Sequence, residues 1–172
     1  CCHPDLLPGC DGVPSGKLAE LLRMVEELVS EGHSALVFSQ FVQMLELIRP
    51  ELERRGVPHF TITGKTPVEQ RQERIAQFNQ SETPAVFLLS IKAAGTGITL
   101  TRADYVFIYD PWWNPAVERQ AIDRTHRIGQ DQPVFAYRMI AANSIEEKVL
   151  ALQREKAELF DRVVGDSENA VP

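Results

Sequence analysis

Residues 85–110, AVFLLSIKAAGTGITLTRADYVFIYD, contain two short apolar runs on either side of a loop rich in small residues. The runs Ala85–Ser90 and Tyr105–Asp110 have the length and composition of buried β-strands. Three further runs of this kind are Ala35–Ser39, His59–Thr63 and Val134–Ile140. A pattern of several short apolar runs is typical of strands buried on both faces, as in a parallel sheet.

Helical patterns occupy the segments between these runs. Leucine and valine recur at helical spacing from Leu18 to Val29, and Gly32 ends that helix. A second helix is predicted from Gln40 to about Arg54, with a kink or a break at Pro50. Regular alternation of strand and helix predicts a single-domain α/β fold, in which a parallel sheet has helices on both faces.

Three more helices are predicted from their start signals. Thr66-Pro67-Val68-Glu69 resembles a capping box with proline at the first helical position, and its helix extends to Phe78. Asn114-Pro115 opens a helix that extends to about His126. Ser144 with Glu147 caps a terminal helix.

Ligands of parallel α/β sheets bind beyond the carboxyl ends of the strands. In this chain those ends are Ser39, Thr63-Gly64, Ser90-Ile91-Lys92 and Asp110. Ser90 and Lys92 offer a hydroxyl and a cation to a phosphate, and Gly95 and Gly97 allow close approach of the backbone. The alternative is a tight turn with only a structural role.

Composition limits the class of protein. The 172 residues suffice for one domain with a substantial core, and no apolar run approaches the roughly 20 residues of a membrane span. The formal charge of −6 argues mildly against nucleic-acid binding, but it permits contact through amides, hydroxyls and a few local cations. Cys1, Cys2 and Cys10 do not match the spacing of structural zinc ligands, so no metal site is predicted.

Several catalytic signatures are absent from the sequence. It contains no G-x-x-x-x-G-K-[ST] loop to hold ATP phosphates, no acidic pair after a strand for magnesium, no G-x-S-x-G elbow and no H-E-x-x-H pair. We therefore expect that the chain does not hydrolyse a nucleotide by itself.

The strongest positive signal is QAIDRTHRIGQ, residues 120–130. At about 100° per residue, Gln120, Arg124 and Arg127 fall within one sector of a helix. An arginine fork suits the charge that develops on a transferring phosphoryl group. The alternative for an isolated helix is a solvated face, whose arginines pair with Asp123 or Glu118.

This stretch resembles the sixth helicase motif of the Swi/Snf branch of superfamily two, Q-A-x-x-R-x-H-R-I-G-Q. The resemblance implies a RecA-like second lobe, in which Arg124 and Arg127 are arginine fingers for ATP bound on another lobe and Gln120 belongs to the same interface. Other segments that are similar to this family's motifs are Leu36–Phe41, Gly64 with Arg71, Ile75, Phe78 and Asn79, Leu88–Thr101, Asp110–Pro115, and Cys2-His3-Pro4 with Leu6-Leu7.

The resemblance also implies contacts. Ser90 and Lys92 would lie near the DNA backbone, and Gly97 and Thr99 nearer the nucleotide. Further expected DNA contacts are Ser39, Gly64, Lys65, Gly95 and Trp113. The chain departs from the family in having Ala94 where a glycine is usual and Thr99 where asparagine is usual, which places a ribose contact by Thr99 in doubt.

The sequence thus predicts the second lobe of an ATP-driven translocase on double-stranded DNA that does not read base sequence. Residues 1–14 are interpreted as a connector from a first RecA-like lobe of the same polypeptide, residues 15–165 as the helicase C-terminal domain and 166–172 as a tail. ATP and Mg²⁺ would be bound mainly by that first lobe, and a protein–DNA complex is a further candidate substrate. We expect the bacterial cytoplasm, associated with the nucleoid, or the nucleus in a eukaryote, and no membrane.

Two alternatives come from other classes of protein. One is a module that binds nucleic acid or protein without using a nucleotide. The other is a small-molecule enzyme with Gly95-Thr96-Gly97 as a phosphate loop, which lacks the third glycine of a dinucleotide fingerprint.

Overall fold

Five strands in the described part of the chain form one sheet in the order β2-β3-β1-β4-β5, and every neighbouring pair is parallel. This arrangement comes from a computed structural model that describes residues 3–9, 12, 14–94, 98–112, 116, 118–119, 123 and 134–155. The strands are β1 (Ala35–Ser39), β2 (His59–Ile62), β3 (Val86–Ser90), β4 (Tyr105–Ile108) and β5 (Phe135–Arg138). The predicted parallel sheet is confirmed.

The described helices are α1 (Gly16–Ser30), α2 (Val42–Arg54), α3 (Val68–Gln80), the short α4 (Ile91–Ala94) and α5, residues 145–155. A 3₁₀ turn, Pro4–Leu6, precedes them. No helix within the described ranges is both long enough and apolar enough to cross a membrane.

Two apolar cores cover the two faces of the sheet, as predicted. Alternate side chains of a strand point to opposite faces, so Val37 faces α1 and α2 while Leu36 and Phe38 face α3. On the α3 side, the buried ring of Phe78 packs edge-on against Phe87, with ring centroids 5.1 Å apart. Both helix layers are therefore fixed to the sheet by buried side chains.

The proline in α2 does not break the helix. α2 continues from Val42 to Arg54 through Pro50, so of the two predicted alternatives, a kink or a break, the break is wrong, and the helix begins two residues later than expected. Pro50 and Glu46, whose carbonyl loses its helical partner, both lie on the exposed side, where water can replace the missing hydrogen bond. The opposite side holds the helix through buried residues, which are Met44, Leu45, Ile48 and Leu52.

The capping box predicted at Thr66 does not form. α3 begins after Pro67, which occupies the cap position without a side-chain hydrogen bond, and the helix extends to Gln80. The hydroxyl oxygen of Thr66 instead accepts a hydrogen bond from the amide of Thr63 at 3.0 Å. The threonine thus closes the preceding turn and leaves the helix end uncapped.

The predicted cap of the terminal helix is confirmed with a small shift. The Ser144 hydroxyl oxygen accepts from the Glu146 amide at 3.1 Å, as an N-cap does. The Glu147 carboxylate accepts from the amide of Asn143 at 3.0 Å, one residue before the expected position.

Candidate nucleic-acid and nucleotide interface

The segments singled out in the sequence meet at one edge of the sheet. Ser39 and Ser90 are register partners at the carboxyl ends of β1 and β3, and Ile62 of β2 pairs with Leu89. β2 therefore ends next to Ser90, and Gly64 and Lys65 follow in the turn after it. The carboxyl ends of β1, β2 and β3 thus bring five predicted site residues to one edge, namely Ser39, Gly64, Lys65, Ser90 and Lys92.

The turn between β2 and α3 presents Gly64 and Lys65 to solvent. The Lys65 amide donates to the Thr63 hydroxyl oxygen at 3.3 Å, which holds the turn tightly. From α3, the Arg71 guanidinium donates to the carbonyl oxygens of Thr66 at 2.7 Å and Gly64 at 3.0 Å. The ammonium group of Lys65 is thus carried on a turn whose backbone is fixed from both sides.

Ser90 caps a short helix at the end of β3. Its hydroxyl oxygen accepts from the Ala93 amide at 3.3 Å, and the residue is 3% exposed. The alternative considered from the sequence was a tight turn, whereas residues 91–94 form the short helix α4. Lys92, the second residue of this helix, is exposed. Lys92 is therefore available to an anion at this edge, while the Ser90 hydroxyl shapes the backbone that presents it.

Ser39 lies in a buried polar network at the ends of β1 and β4. Its hydroxyl donates to one carboxylate oxygen of Asp110 at 2.7 Å, and the Gln40 amide donates to the other at 2.7 Å. The Phe41 amide donates back to the Ser39 hydroxyl oxygen at 3.1 Å. This network fixes the start of the β1–α2 loop.

The carboxyl group of Asp110 is itself perturbed. Burial raises the pKa of Asp110 above its ordinary value, while the hydrogen bonds from Gln40 and Ser39 and the positive charge of Lys17 act in the opposite direction. Asp110 is 1% exposed, so its charge is shielded from solvent.

An ion pair that the sequence analysis missed lies behind this network. Lys17 Nζ of α1 lies 2.8 Å from both carboxylate oxygens of Glu146 in α5, and each side chain is 6% exposed. The same ammonium group sits 4.8 Å from the centre of the Tyr109 ring. Because the two partners lie 129 residues apart, no local pattern could identify the pair.

A pocket of about 360 Å³ opens next to Asp110, between the 3₁₀ turn, the β1–α2 loop and α5. Its walls are mostly apolar and include Leu6, Phe41, Ile145 and Val149. The buried carboxylates of Asp110 and Glu146 lie in its lining.

A third buried carboxylate joins the β4 end to β5. Glu118 is fully buried and accepts from the Trp112 amide at 2.6 Å and from Arg138 Nε at 2.7 Å. Sequence reasoning considered Glu118 as a partner for the motif arginines and missed Arg138. The partly buried Trp112 packs against the core on the α3 side.

The segment after α4 is held by α3. The Asn79 side chain donates through Nδ2 to the Thr99 carbonyl oxygen at 3.0 Å and accepts through Oδ1 from the Thr101 amide at 3.1 Å. Thr99 is half-buried at this position. The six remaining predicted site residues lie outside the described residues: Gly95, Gly97, Trp113, Gln120, Arg124 and Arg127.

Comparison with known proteins identifies the family. The sequence profile of the helicase conserved C-terminal domain matches residues 16–129. The chain belongs to this family. The matched residues include β1 to β4, the loops at their carboxyl ends and residues 120–129 of the arginine motif. β5 and α5 lie beyond the matched range.

Relatives of this helicase C-terminal domain occur in fungi, plants and bacteria. The chain is 43% identical to a DNA repair protein RAD5 of Cryptococcus neoformans over 88% of the chain and 13% of that protein. It is 47% identical to a putative SWI/SNF-related regulator of chromatin of Arabidopsis thaliana, over 84% of the chain and 17% of the relative. A Mycoplasma pneumoniae ATP-dependent helicase is 38% identical over 90% of the chain and 15% of its own length. The chain thus spans less than a fifth of each of these relatives.

A solved structure shares the fold. The C-terminal part of the Fun30 ATPase domain superposes with a TM-score of 0.77 at 36% identity, over 80% of this chain and 45% of that one. The expected RecA-like C-terminal lobe of the Swi/Snf branch is therefore confirmed, as is membership of a helicase-like ATPase family.

Proposed function

We propose that the chain is the second RecA-like lobe of an ATP-driven translocase on double-stranded DNA. A first lobe of the same polypeptide would bind ATP and Mg²⁺, and this lobe would complete the catalytic site and grip the DNA backbone. The relatives named as ATP-dependent helicases, DNA repair proteins and chromatin regulators support this proposal.

One observation carries the DNA-binding part of the proposal, namely the charge at the carboxyl edge of the sheet. The loops that follow β1 to β4, residues 39–41, 63–67, 90–94 and 109–112, contain two exposed lysines, Lys65 and Lys92. Their one acidic residue, Asp110, is buried under hydrogen bonds. This edge is therefore locally cationic in a chain of formal charge −6. Such local cations suit contact with phosphates.

In the proposed complex, Lys65 and Lys92 approach phosphates, together with backbone amides near Gly64 and Gly95. Ser39 and Ser90 support these loops through their hydroxyl groups, and Trp113 packs at the DNA-facing loop. Contacts of this type carry no base information, so binding is independent of sequence. The protein would act where duplex DNA is found, in the nucleoid or the nucleus.

The residues of this chain fit a contributing nucleotide site and not a primary one. The sequence has no phosphate-cradling loop and no acidic pair for Mg²⁺. It offers Arg124 and Arg127, with Gln120 in the same sector, and the backbone around Gly97 and Thr99. When bound, the Mg²⁺–ATP supplies the phosphoryl group, and the two guanidinium groups stabilise the charge that develops on it.

ATP turnover by the full-length protein, with and without duplex DNA, tests this proposal. We expect DNA to stimulate the wild type, and Arg127→Ala to lower turnover by about 10³-fold or more while ATP binding is kept. Arg119→Ala is the matched control, because Arg119 is an exposed arginine of the helix that the sequence predicts from Asn114, and helical spacing places it outside the proposed sector. Normal ATP turnover by Arg127→Ala would contradict its role as an arginine finger and indicate a surface charge with no part in catalysis.

An ATPase assay of the purified 172-residue chain distinguishes one lobe of a motor from a complete enzyme. We expect no ATP hydrolysis above background from the purified chain, because the phosphate loop is absent from its sequence. Robust ATP turnover by the chain alone would contradict the proposal that ATP binds mainly to a first lobe. Sequence-selective DNA binding that persists at high salt, with no nucleotide use by the full-length protein, would favour a plain binding module.

A further inference from the structure

α3 connects two loops that have different proposed partners. At one end it holds the turn that presents Lys65, and at the other end it holds the segment that contains Thr99. Both connections are made by side chains of α3 to backbone atoms of the loops. Side-chain bonds of this kind fix the path of a loop without using its own side chains.

The connection to the turn is a fork. Arg71 donates from Nε to the Thr66 carbonyl and from Nη2 to the Gly64 carbonyl, at 2.7 and 3.0 Å. These two carbonyls lie on either side of Lys65. Because a guanidinium group is rigid and planar, it sets the separation of the two carbonyls as a unit. Arg74 adds a third bond from α3, to the Thr61 carbonyl of β2.

The connection to the other loop is a matched pair. Asn79 donates to the Thr99 carbonyl and accepts from the Thr101 amide, at 3.0 and 3.1 Å. A flipped amide would place donor against donor and acceptor against acceptor, so this geometry defines the orientation of the side chain. The asparagine thus pairs with the backbone of residues 99–101 much as a neighbouring strand would.

The helix between these connections is held firmly. Arg71 and Asn79 are eight residues apart in α3, which corresponds to about 12 Å along the helix axis. Phe78, next to Asn79, is fully buried and contacts the rings of Phe60 and Phe87. A helix that is anchored in the core cannot shift freely relative to the sheet. It therefore fixes the distance between the two loops.

We propose that α3 is a positioning strut that couples the DNA-binding turn at Gly64–Lys65 to the nucleotide-facing segment around Thr99. Arg71 and Asn79 are its two positioning residues. The inference rests on the proposed function, since it takes the partners of the two loops from there. A change that bound ATP makes in the segment around Thr99 would reach the turn that holds Lys65 through Asn79, the helix and Arg71.

The test measures the affinity of the full-length protein for duplex DNA with and without a non-hydrolysable ATP analogue. The ratio of the two dissociation constants is the coupling factor between the sites. We expect a wild-type factor clearly different from one. Arg71→Lys keeps the charge but loses the fork, and Asn79→Ala loses both bonds. Each of these two substitutions should change the coupling factor by about 5-fold or more in the direction of one. A change of this size corresponds to the loss of one or two hydrogen bonds.

The controls are neighbours on the same helix. Gln72→Ala and Gln80→Ala remove exposed side chains next to the positioning residues and should leave the factor unchanged. If Asn79→Ala fails to fold, Asn79→Asp keeps the acceptor for Thr101 and removes the donor to Thr99, so it tests the same link. A merely structural role would lower stability and leave the ratio as in the wild type.

The outcomes are distinct. A wild-type factor of one, or variants that keep the wild-type factor, would overturn the strut and leave the proposed function intact. A full-length protein that binds neither ATP nor duplex DNA would overturn the proposed function itself.

Discussion

The two halves of the carboxyl edge use similar residues in opposite ways. At the β2–β3 half, Lys65 and Lys92 are exposed, and polar side chains beneath them hold only the backbone. At the β1–β4 half, Ser39 and Asp110 are buried and satisfy each other, with the Lys17–Glu146 pair close behind. The β2–β3 half therefore presents positive charge to a ligand, whereas the polar groups of the β1–β4 half form hydrogen bonds within the protein.

This difference separates two roles that the motif resemblance treats alike. Ser39 and Lys92 are both expected DNA contacts by resemblance, yet Ser39 is fully buried while Lys92 is exposed. Substitutions at the β1–β4 half should therefore change the free energy of unfolding, and those at the β2–β3 half should change DNA affinity.

The largest effect is expected at the buried ion pair. Lys17→Ala leaves the Glu146 carboxylate buried without its counter-charge, which should lower the free energy of unfolding by about 3–5 kcal/mol. Chemical denaturation of the chain measures this. Arg23→Ala removes an exposed ion-pairing cation from the same helix, and its unfolding midpoint should stay at the wild-type value. Equal effects of the two substitutions would show that burial does not distinguish these pairs.

Ser39→Ala should have a smaller effect of the same kind. The change removes a donor to Asp110 and the acceptor of the Phe41 amide, so the free energy of unfolding should fall by about 1–3 kcal/mol. DNA affinity of the folded variant should match that of the wild type. Ser30→Ala, at the exposed end of α1, is the control. Loss of DNA affinity without loss of stability would instead place the Ser39 hydroxyl on the DNA.

The sheet and most helix bounds could be predicted because their signals are local. β1 occupies Ala35–Ser39 as predicted, and α1 ends close to Gly32. The errors in the helix predictions arose where the surroundings of a residue outweighed its local signal, as at Thr66 and Pro50. Thr66 bonds to Thr63 instead of capping α3, and Pro50 lies on the exposed side of α2, where water can replace the lost hydrogen bond.

The sequence indicated which described loops meet at the carboxyl edge of the sheet, but it did not indicate the contacts among them. Strand ends indicated where the loops meet, since a parallel sheet places all carboxyl ends at one edge. The pairs Lys17–Glu146 and Arg138–Glu118 depend on chain packing over long separations, which no spacing rule contains. Arg71 and Asn79 are recognisable in the sequence only as parts of a motif, because their bonds to the two loops depend on how α3 packs in the fold.

Lys92→Ala should act on DNA affinity alone. Loss of one phosphate contact should weaken duplex binding about 5–10-fold at moderate salt and reduce the salt slope by about 0.9. The free energy of unfolding should change by less than about 0.5 kcal/mol, since the side chain is exposed. Arg54→Ala, an exposed cation at the end of α2 and at the opposite edge of the sheet, should leave both the affinity and the slope unchanged.

The smallest effect is a pH dependence at Asp110. Burial raises its pKa above the ordinary value of 3.8, so the folded chain holds this proton to higher pH than the unfolded chain does. The contribution of Asp110 to the free energy of unfolding is therefore fully present below pH 3.8 and is lost as the pH rises through the raised pKa. Asp110→Asn removes this titration. The stability of the wild type minus that of Asp110→Asn should fall as the pH rises from 3.8 through the raised pKa in parallel denaturation series. If that difference rises with pH, the hydrogen bonds from Ser39 and Gln40 outweigh burial, and the β1–β4 half stabilises the ionised carboxylate instead of the protonated one.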